Sequence, residues 1–321
     1  MTEARQARTR VRDAIATHPW VCRTLAGAAR YGGARSAAAK LRQLSLDLVT
    51  VSVPEVATGG VRVTVRLPGR AGRDQIATAL RESGWTGFEP PMPTVFAACA
   101  ATFPGVVYDI GANTGFYSVV AARVARANKV VAFEPFPPVL ANLKSTLRVN
   151  RCSDRVHVEP AALSSAPGEA TLYVPLQDHG LVETSATLSA SFKEEYSDAI
   201  DVRVLTLDAY DESASPGRAT LLKIDVESME ASVLRGALRI LKTHRPIVFC
   251  EVLPSGDAKA IDAIRQQVRY TDIRLHADAA FIGSDVSFDP AGWNHLLVPD
   301  EKLERVEPLL TRCGLTLERA E

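Results

Sequence analysis

Apolar and polar residues alternate near the start of the chain, a pattern that predicts a β-hairpin. Residues 47–53 (DLVTVSV) and 61–67 (VRVTVRL) place apolar side chains at every second position, with PEVATGG between them as a long turn. Apolar residues recur at helical spacing over 73–83, and residues 1–45, rich in Ala and Arg, are expected to be helical. We therefore expect residues 1–90 to form an accessory region of helices and one hairpin.

From residue 105 onward, short apolar runs alternate with segments of helical period. Beyond residue 134, the runs that predict strands are 155–160, 171–175, 202–207, 220–227, 246–252, 270–275 and 293–299. Helical segments separate most of these runs, which is typical of a mostly parallel sheet with helices on both faces. The pattern thus predicts an α/β domain over residues 91–321. One long polar connection lacks periodicity, and we expect a lid there, near 176–200.

Residues 105–134 carry the pattern of half a nucleoside-binding unit. An apolar run reaches Asp109, a tight loop runs from Gly111 to Gly115, and a helical segment follows; the next apolar run ends on Glu134, 19 residues beyond Gly115. Glycines let the backbone approach a ligand, and the helix start attracts a carboxylate or phosphate. An acid at the end of the second strand is placed to accept both hydroxyls of a ribose.

The loop reads GANTG, whereas a dinucleotide fingerprint reads GxGxxG. Asn113 stands where the second glycine of that fingerprint would be, and its side chain crowds a pyrophosphate but leaves room for the carboxylate of a methionine moiety. Asp109, two residues before the loop, can accept hydrogen bonds from a ligand ammonium. By itself the loop could be an ordinary helix start, but together with Glu134 it favours an adenosine-containing cofactor.

Composition narrows the class of protein. The chain has 321 residues, is 46% hydrophobic and carries no formal net charge, so nothing global indicates a nucleic acid or an acidic membrane as partner. The five cysteines are far apart and form no CxxC pair, which favours reduced thiols in a cytoplasmic protein and no metal site. The uncharged stretch 90–108 contains four prolines, which argue against a membrane span.

Six blocks of the sequence resemble, in order and spacing, those of the FkbM family of S-adenosylmethionine-dependent methyltransferases. The blocks are VYDIGANTGFYS, AFEPFPP, NLKSTLRVN, AALSSAPGEATLYVP, LLKIDVESMEASVLRGA and RPIVFCEV, and the resemblance covers about residues 85 to 299. It implies a class I methyltransferase fold, a Rossmann-like α/β sheet of seven strands with the last antiparallel. One departure is visible: Ser228 stands where the family usually has glycine after its D-V-E triplet.

The resemblance also implies the cofactor and its site. The cofactor is S-adenosylmethionine, and the residues expected to bind it are Asp109, Gly111, Asn113, Thr114, Gly115, Phe116, Glu134, Pro135, Ala161 and Ala162. The glycine loop and Asp109 would hold the methionine end, and Glu134 would hold the ribose.

Three residues are candidates for the chemistry of methyl transfer. Asp225 follows a buried strand, where it could orient the methionine ammonium or act as base. Glu227 could hold the acceptor, or it could simply be an acid at a helix start. His179, in the expected lid, could take a proton from an acceptor hydroxyl near neutral pH, although a solvated loop histidine is the plainer interpretation.

These observations predict an O-methyltransferase acting on a hydroxyl of a small secondary metabolite or sugar. Two alternatives stay open at this point: a nicotinamide-dependent oxidoreductase on a similar sheet, and a non-catalytic module that binds S-adenosylmethionine. The expected partner is a small-molecule hydroxyl acceptor, with no nucleic acid and no membrane. Residues 1–90 could also dock a partner or form a homodimer.

Overall fold

A computed structural model of the protein describes residues 48–69, 74–175, 186–189 and 196–319. The strands are β1 (Leu48–Val53), β2 (Val63–Pro68), β3 (Val106–Ile110), β4 (Lys129–Phe133), β5 (Val156–Glu159), β6 (Ala162–Leu163), β7 (Gly168–Pro175), β8 (Tyr196–Leu205), β9 (Ala219–Ile224), β10 (Ile247–Glu251), β11 (Tyr270–Leu275), β12 (Ala279–Gly283), β13 (Asn294–Pro299) and β14 (Thr316–Arg319). The helices are α1 (Glu55–Thr58), α2 (Gln75–Gly87), α3 (Met92–Thr102), α4 (Phe116–Val124), α5 (Pro137–Asn150), α6 (Leu207–Ala214), α7 (Glu230–Arg235), α8 (Leu238–Thr243), α9 (Ala258–Val268) and α10 (Leu303–Arg312), and a single 3-10 turn covers Asp300–Lys302.

Nine strands form the central sheet, in the order β14-β12-β11-β13-β10-β9-β3-β4-β5. Strands β5, β4, β3, β9 and β10 are parallel, and β13 inserts antiparallel between β10 and β11. The seven strands from β11 to β5 confirm the expected class I methyltransferase sheet with its antiparallel last strand. Two further strands at one end of the sheet, β12 and the edge strand β14, were not predicted, because β12 is a short apolar run and β14 is polar and largely exposed.

The glycine-loop unit folds as the sequence predicts. The five residues of β3 are all buried, as expected for a strand between two parallel neighbours. The loop after β3 opens α4, and α5 begins at Pro137 with two prolines in its first turn, where a missing N–H costs no helical hydrogen bond. Helices pack on both faces of the sheet, and among the described residues no helix is long and apolar enough to cross a membrane.

Two other expectations needed adjustment. The apolar run predicted as one strand over 220–227 ends at Ile224, and the backbone then turns with positive φ at Glu227 and Ser228. The helical segment after it is divided into α7 and α8 at Gly236, where a Cβ would lie 2.1 Å from the carbonyl oxygen of Ser164.

The hairpin β1–β2 is antiparallel, as predicted, and its inward face joins the core of the large sheet. Val51 pairs with Val65 across the hairpin, and both side chains are buried in one apolar cluster with Phe96 of α3 and Phe249 of β10. Helix α3 is nearly all buried, which the sequence analysis did not predict. The uncharged stretch that contains it is therefore core.

A smaller sheet, ordered β6-β8-β7, lies beside the expected lid. Of the lid, the structure describes residues 186–189 between β7 and β8. Thr187 forms an isolated antiparallel bridge with Tyr173, with hydrogen bonds in both directions between their backbones. Residues 176–185, which include His179, and residues 1–47 lie outside the described part of the chain.

Candidate active site

A cavity of about 710 Å3, counted with its open mouth, lies at the carboxyl ends of β3, β4 and β9. The carboxyl edge of an open α/β sheet is where such proteins bind ligands. The lining residues are Ile110, Gly111, Asn113, Phe133, Glu134, Pro135, Phe136, Val139, Ala161, Ala162, Leu163, Leu172, Ala186, Thr187, Leu188, Asp225, Val226, Glu227 and Met229.

Glu134 holds the loops on one side of this cavity together. Its carboxylate accepts hydrogen bonds from the backbone N–H of Asn113 at 2.9 Å and of Phe136 at 2.8 Å. Burial raises the pKa of Glu134 to about 7, although these two N–H donors act in the opposite direction. Each oxygen keeps a further lone pair, so the carboxylate can also accept from ligand hydroxyls.

The glycines of the loop are required by close packing as well as by conformation. Gly111 has φ +74°, and a Cβ there would lie 1.9 Å from the carbonyl oxygen of Asp225. Gly115 has φ +85°, and its Cβ would lie 3.3 Å from Cγ of Leu143 on α5. The first glycine thus lets the loop pass the end of β9, and the second lets α4 start against α5.

Three side-chain oxygens in this loop region are buried without a hydrogen-bond partner among the described residues: Asp109 Oδ1, Asn113 Oδ1 and Thr114 Oγ1. Asp109 is fully buried, and its other oxygen accepts from the hydroxyl of Ser118 at 2.5 Å. Burial raises the pKa of Asp109, while the neighbouring ammonium of Lys223 lowers it. Buried polar atoms are rarely left unpaired, and of these three residues Asn113 lines the cavity, so its oxygen points to a ligand with donors.

Lys223 and Asp225 form an ion pair at the end of β9. The Lys223 Nζ lies 2.9 Å from Asp225 Oδ2 and 3.4 Å from the carbonyl oxygen of Gly111. Burial by itself would lower the pKa of Lys223, but the carboxylates of Asp225 and Asp109 outweigh it and hold that pKa above its ordinary value. Lys223 therefore stays charged and fixes the Asp225 carboxylate at the cavity wall.

Two further carboxyl groups, those of Glu230 and Glu251, lie near the turn that follows Asp225. Glu230 is fully buried at the start of α7, and one of its oxygens accepts from the backbone N–H of Val226 and Ser228, while burial raises its pKa to about 7. Glu251 ends the neighbouring strand β10, and burial together with the charge of Asp225 holds its pKa well above its usual range. Among the described residues, no group of three or more acids, histidines or cysteines is arranged to hold a metal ion.

The described part of the lid reaches this same turn. The hydroxyl of Thr187 donates to the carbonyl oxygen of Glu227 at 2.8 Å and accepts from the backbone N–H of Ser189 at 3.1 Å. Residues 186–188 line the cavity opposite the glycine loop. The segment therefore closes one side of the cavity and ties it to the end of β9.

The structure brings together most, but not all, of the predicted site residues at the cavity wall. Those that line it are Gly111, Asn113, Glu134, Pro135, Ala161, Ala162, Asp225 and Glu227. Asp109, Thr114, Gly115 and Phe116 are buried just behind the wall. His179 lies outside the described residues.

Sequence reasoning missed Lys223, which lies behind the wall in contact with Asp225. A charged residue inside the otherwise apolar strand TLLKI was the signal that could have identified it, because a buried lysine requires a partner. It also missed Phe136, Leu163, Leu172 and Leu188, which give the cavity an apolar side. The local sequence around a leucine or phenylalanine does not show whether the side chain lines a cavity or packs in the core.

The family model of the FkbM methyltransferase domain matches residues 109–275. This match covers the glycine loop, Glu134, the cavity and the strands up to β11. The chain belongs to the FkbM methyltransferase family.

Two curated proteins and one solved structure are similar to parts of this FkbM chain. Methyltransferase 1 from Beauveria bassiana is 28% identical over 151 residues, which are 42% of this chain and 60% of that protein. Methyltransferase sdnD from Sordaria araneosa is 28% identical over 202 residues, 54% of this chain and 76% of that one. A crystal structure of an FkbM methyltransferase from Methylobacillus flagellatus covers 60% of this chain and 43% of its own, with 16% identity and a TM-score of 0.40.

S-adenosylmethionine is the cofactor of this FkbM domain, and the residues of the cavity fit it. The apolar side suits an adenine ring, and the Glu134 carboxylate lies where ribose hydroxyls can donate to it. The unpaired oxygen of Asn113 lies at the cavity wall and can accept from a ligand donor. When bound, the cofactor supplies a methyl group on a sulfonium that is already activated for transfer.

Proposed function

We propose that the protein is an S-adenosylmethionine-dependent O-methyltransferase that acts on a hydroxyl of a small secondary metabolite or sugar. The observation that carries this proposal is the cavity itself, with Glu134 on the β4 side and Asp225 and Glu227 on the β9 side. Membership of the FkbM family favours methyl transfer over the nicotinamide-dependent alternative.

The β9 side of the cavity supports a hydroxyl acceptor. Lys223 donates to Asp225 Oδ2, and among the described residues no donor is hydrogen-bonded to Oδ1. That oxygen is free to accept a hydrogen bond from an acceptor hydroxyl and orient it. Alignment of the acceptor oxygen with the methyl group is the main task of such an enzyme, because the donor needs no activation.

The lid supports a small acceptor. Residues 186–188 cover one side of the cavity, and Thr187 fixes them to Glu227. A covered cavity suits a metabolite or sugar better than the surface of a macromolecule.

Cofactor binding is the first test. Isothermal titration of the wild type with S-adenosylmethionine should show saturable binding. Glu134→Gln should weaken it about tenfold or more, because hydrogen bonds to a charged group contribute about 1.5 to 3 kcal/mol. Glu169→Gln, on the exposed start of β7, is the matched control and should bind like the wild type. A wild type that does not bind the cofactor would refute the proposal.

Methyl transfer is the second test. Radiolabelled methyl transfer from S-adenosylmethionine to a panel of hydroxylated metabolites and sugars should label at least one acceptor, with and without a chelator. Asp225→Asn should lower turnover about a hundredfold with little change in cofactor affinity, since a positioned acid or base contributes about 10^2 to 10^4-fold. Saturable binding without labelling of any acceptor would favour a non-catalytic binding module.

A further inference from the structure

Glu89 lies outside the matched family region, and no role in the site has been assigned to it. It belongs to the connection between α2 and α3, and its backbone has φ +45°, a conformation that residues other than glycine rarely adopt. Such strained residues persist only where the surrounding structure holds them, and they concentrate at functional sites. The contacts that hold Glu89 in this conformation can therefore indicate its function.

Aromatic packing fixes the connection that carries Glu89 against the start of α4. The rings of Trp85 and Phe88 lie 5.5 and 5.4 Å from that of Phe116, the first residue of α4. The indole N–H of Trp85 donates to the hydroxyl of Thr94 at 2.9 Å. The rings of Trp85, near the end of α2, and of Phe88 are both buried, so Glu89 extends from a rigid support beside the helix that follows the glycine loop.

Tyr117 lies between the Glu89 carboxyl group and the charged residues at the end of β9, and it contacts both. The buried Tyr117 hydroxyl donates to Glu89 Oε2 at 2.6 Å, and Lys223 Nζ lies 5.1 Å from the centre of the same ring. Glu89 as a residue is exposed, yet desolvation raises the pKa of its carboxyl, and the charge of Asp225 adds to this. The carboxyl end of Glu89, hydrogen-bonded to Tyr117, is therefore less hydrated than the residue as a whole.

Negative charge is in excess at this point. Glu89, Asp109 and Asp225 surround one ammonium, that of Lys223, and no other cation is recorded in contact with them among the described residues. Asp109 is the direct neighbour of Lys223 across the β3–β9 pair, is fully buried, and has an oxygen without a partner. This cluster of three carboxyl groups around one ammonium, with one buried oxygen that lacks a partner, is suited to bind a second ammonium group.

We propose that Glu89 binds the α-ammonium group of the methionine moiety of S-adenosylmethionine, beside Lys223 and Asp225 at the end of β9. This assignment rests on the proposed function, because it requires that the cavity bind the cofactor. Tyr117 acts as a positioning residue that holds the Glu89 carboxylate towards the end of β9. The connection between α2 and α3 thereby becomes part of the cofactor site.

The test compares ligands that differ only at the amino-acid end. Binding of three ligands is measured by titration calorimetry: S-adenosylhomocysteine, its analogue lacking the α-amino group, and methylthioadenosine, which lacks the amino-acid part. Glu89→Gln keeps an oxygen for the Tyr117 hydroxyl but removes the charge. It should weaken S-adenosylhomocysteine about ten- to hundredfold and leave the other two ligands unchanged. Tyr117→Phe should produce the same pattern with a smaller effect.

Glu82→Gln, on the exposed side of α2, is the matched control and should bind all three ligands like the wild type. Equal weakening of all three ligands by Glu89→Gln would overturn the proposal, because it would mean a general distortion of the site. Wild-type affinity for S-adenosylhomocysteine with slower methyl transfer would overturn it too and would make Glu89 a base. A wild type that binds none of the ligands would instead refute the proposed function.

Discussion

Ser228 occupies a backbone position that favours glycine, the residue that the family resemblance leads us to expect there. Its φ is +79°, directly after Glu227 at φ +54°. Its hydroxyl is within hydrogen-bond distance of that of Ser255, at 2.6 Å, and its N–H donates to Glu230. The hydrogen bond of the Ser228 hydroxyl thus offsets part of the free energy that the positive φ costs.

Two substitutions at this residue separate strain from hydrogen bonding. Ser228→Ala removes only the hydroxyl, whereas Ser228→Gly also removes the Cβ that makes positive φ unfavourable. We expect the glycine variant to be more stable than the alanine variant by about 1 kcal/mol, measured by chemical denaturation. A glycine variant that is less stable than the alanine variant would contradict the strain argument.

The buried carboxyl groups should make the free energy of unfolding depend on pH. Glu134 and Glu230 have an ordinary pKa of 4.5 and a pKa of about 7 in the folded protein. Between these pH values the folded state retains protons that the unfolded state has released, so the free energy of unfolding falls as the pH rises. Each group should contribute roughly 1 to 3 kcal/mol to this fall.

Denaturation of the cofactor-free protein at pH 5, 6, 7 and 8 measures this effect. The stability should fall over the range, and Glu134→Gln should make the fall shallower because it removes one of the buried carboxyls with a raised pKa. Glu169→Gln, at an exposed position, should leave the slope unchanged. A wild-type stability that rises from pH 5 to 7 would contradict the assignment.

At the scale of elements, the lid and the glycine loop both depend on the end of β9. The loop passes so close to the Asp225 carbonyl that any side chain at Gly111 would displace β9. Gly111→Val would therefore disturb the fold as well as the binding site, and it is a poor test of binding. The contact of Thr187 with the Glu227 carbonyl can be removed without a clash.

Thr187→Val keeps the shape of the threonine and removes its hydrogen bonds to Glu227 and Ser189. Since one such bond contributes about 0.5 to 1.5 kcal/mol, the dissociation rate of S-adenosylmethionine should rise about three- to tenfold, measured by stopped-flow fluorescence. Thr171→Val, an exchange on β7 that removes only a contact with Asp201, is the control and should leave the rate unchanged. A variant with the wild-type rate would mean that residues 186–189 do not retain the cofactor.

At the scale of the whole molecule, the hairpin and the large sheet share one apolar core. Leu67 of β2 is 1% exposed and belongs to the same cluster as Phe96 and Phe249. Leu67→Ala should lower the free energy of unfolding by about 2 to 5 kcal/mol within a single transition. Val61→Ala, at a residue that is 60% exposed, should change it by less than about 0.5 kcal/mol. Two separate thermal transitions would mean that the hairpin unfolds as a unit of its own.

The local sequence determined the framework of this protein. The spacing of apolar residues, together with the glycines and prolines that mark turns, predicted the hairpin, the glycine loop between β3 and α4, and most strands of the sheet. Alternation and helical spacing can both be seen within a few residues. The glycines and the acid at Glu134 predicted a nucleoside site for the same reason: each occupies a fixed place relative to a strand end. The resemblance to the FkbM family, carried by six ordered blocks, is confirmed.

Only the tertiary structure decided which distant residues meet. Asp109 lies beside Lys223 because β3 pairs with β9, the contact between Glu89 and Tyr117 joins residues 28 apart, and the approach of Gly111 to Asp225 joins the ends of two strands. The same is true of the leucines that line the cavity and of α3 as a buried helix. These features depend on packing between elements, which the spacing of residues along the chain does not record, whereas most of the elements themselves depend on local spacing and were predicted from it.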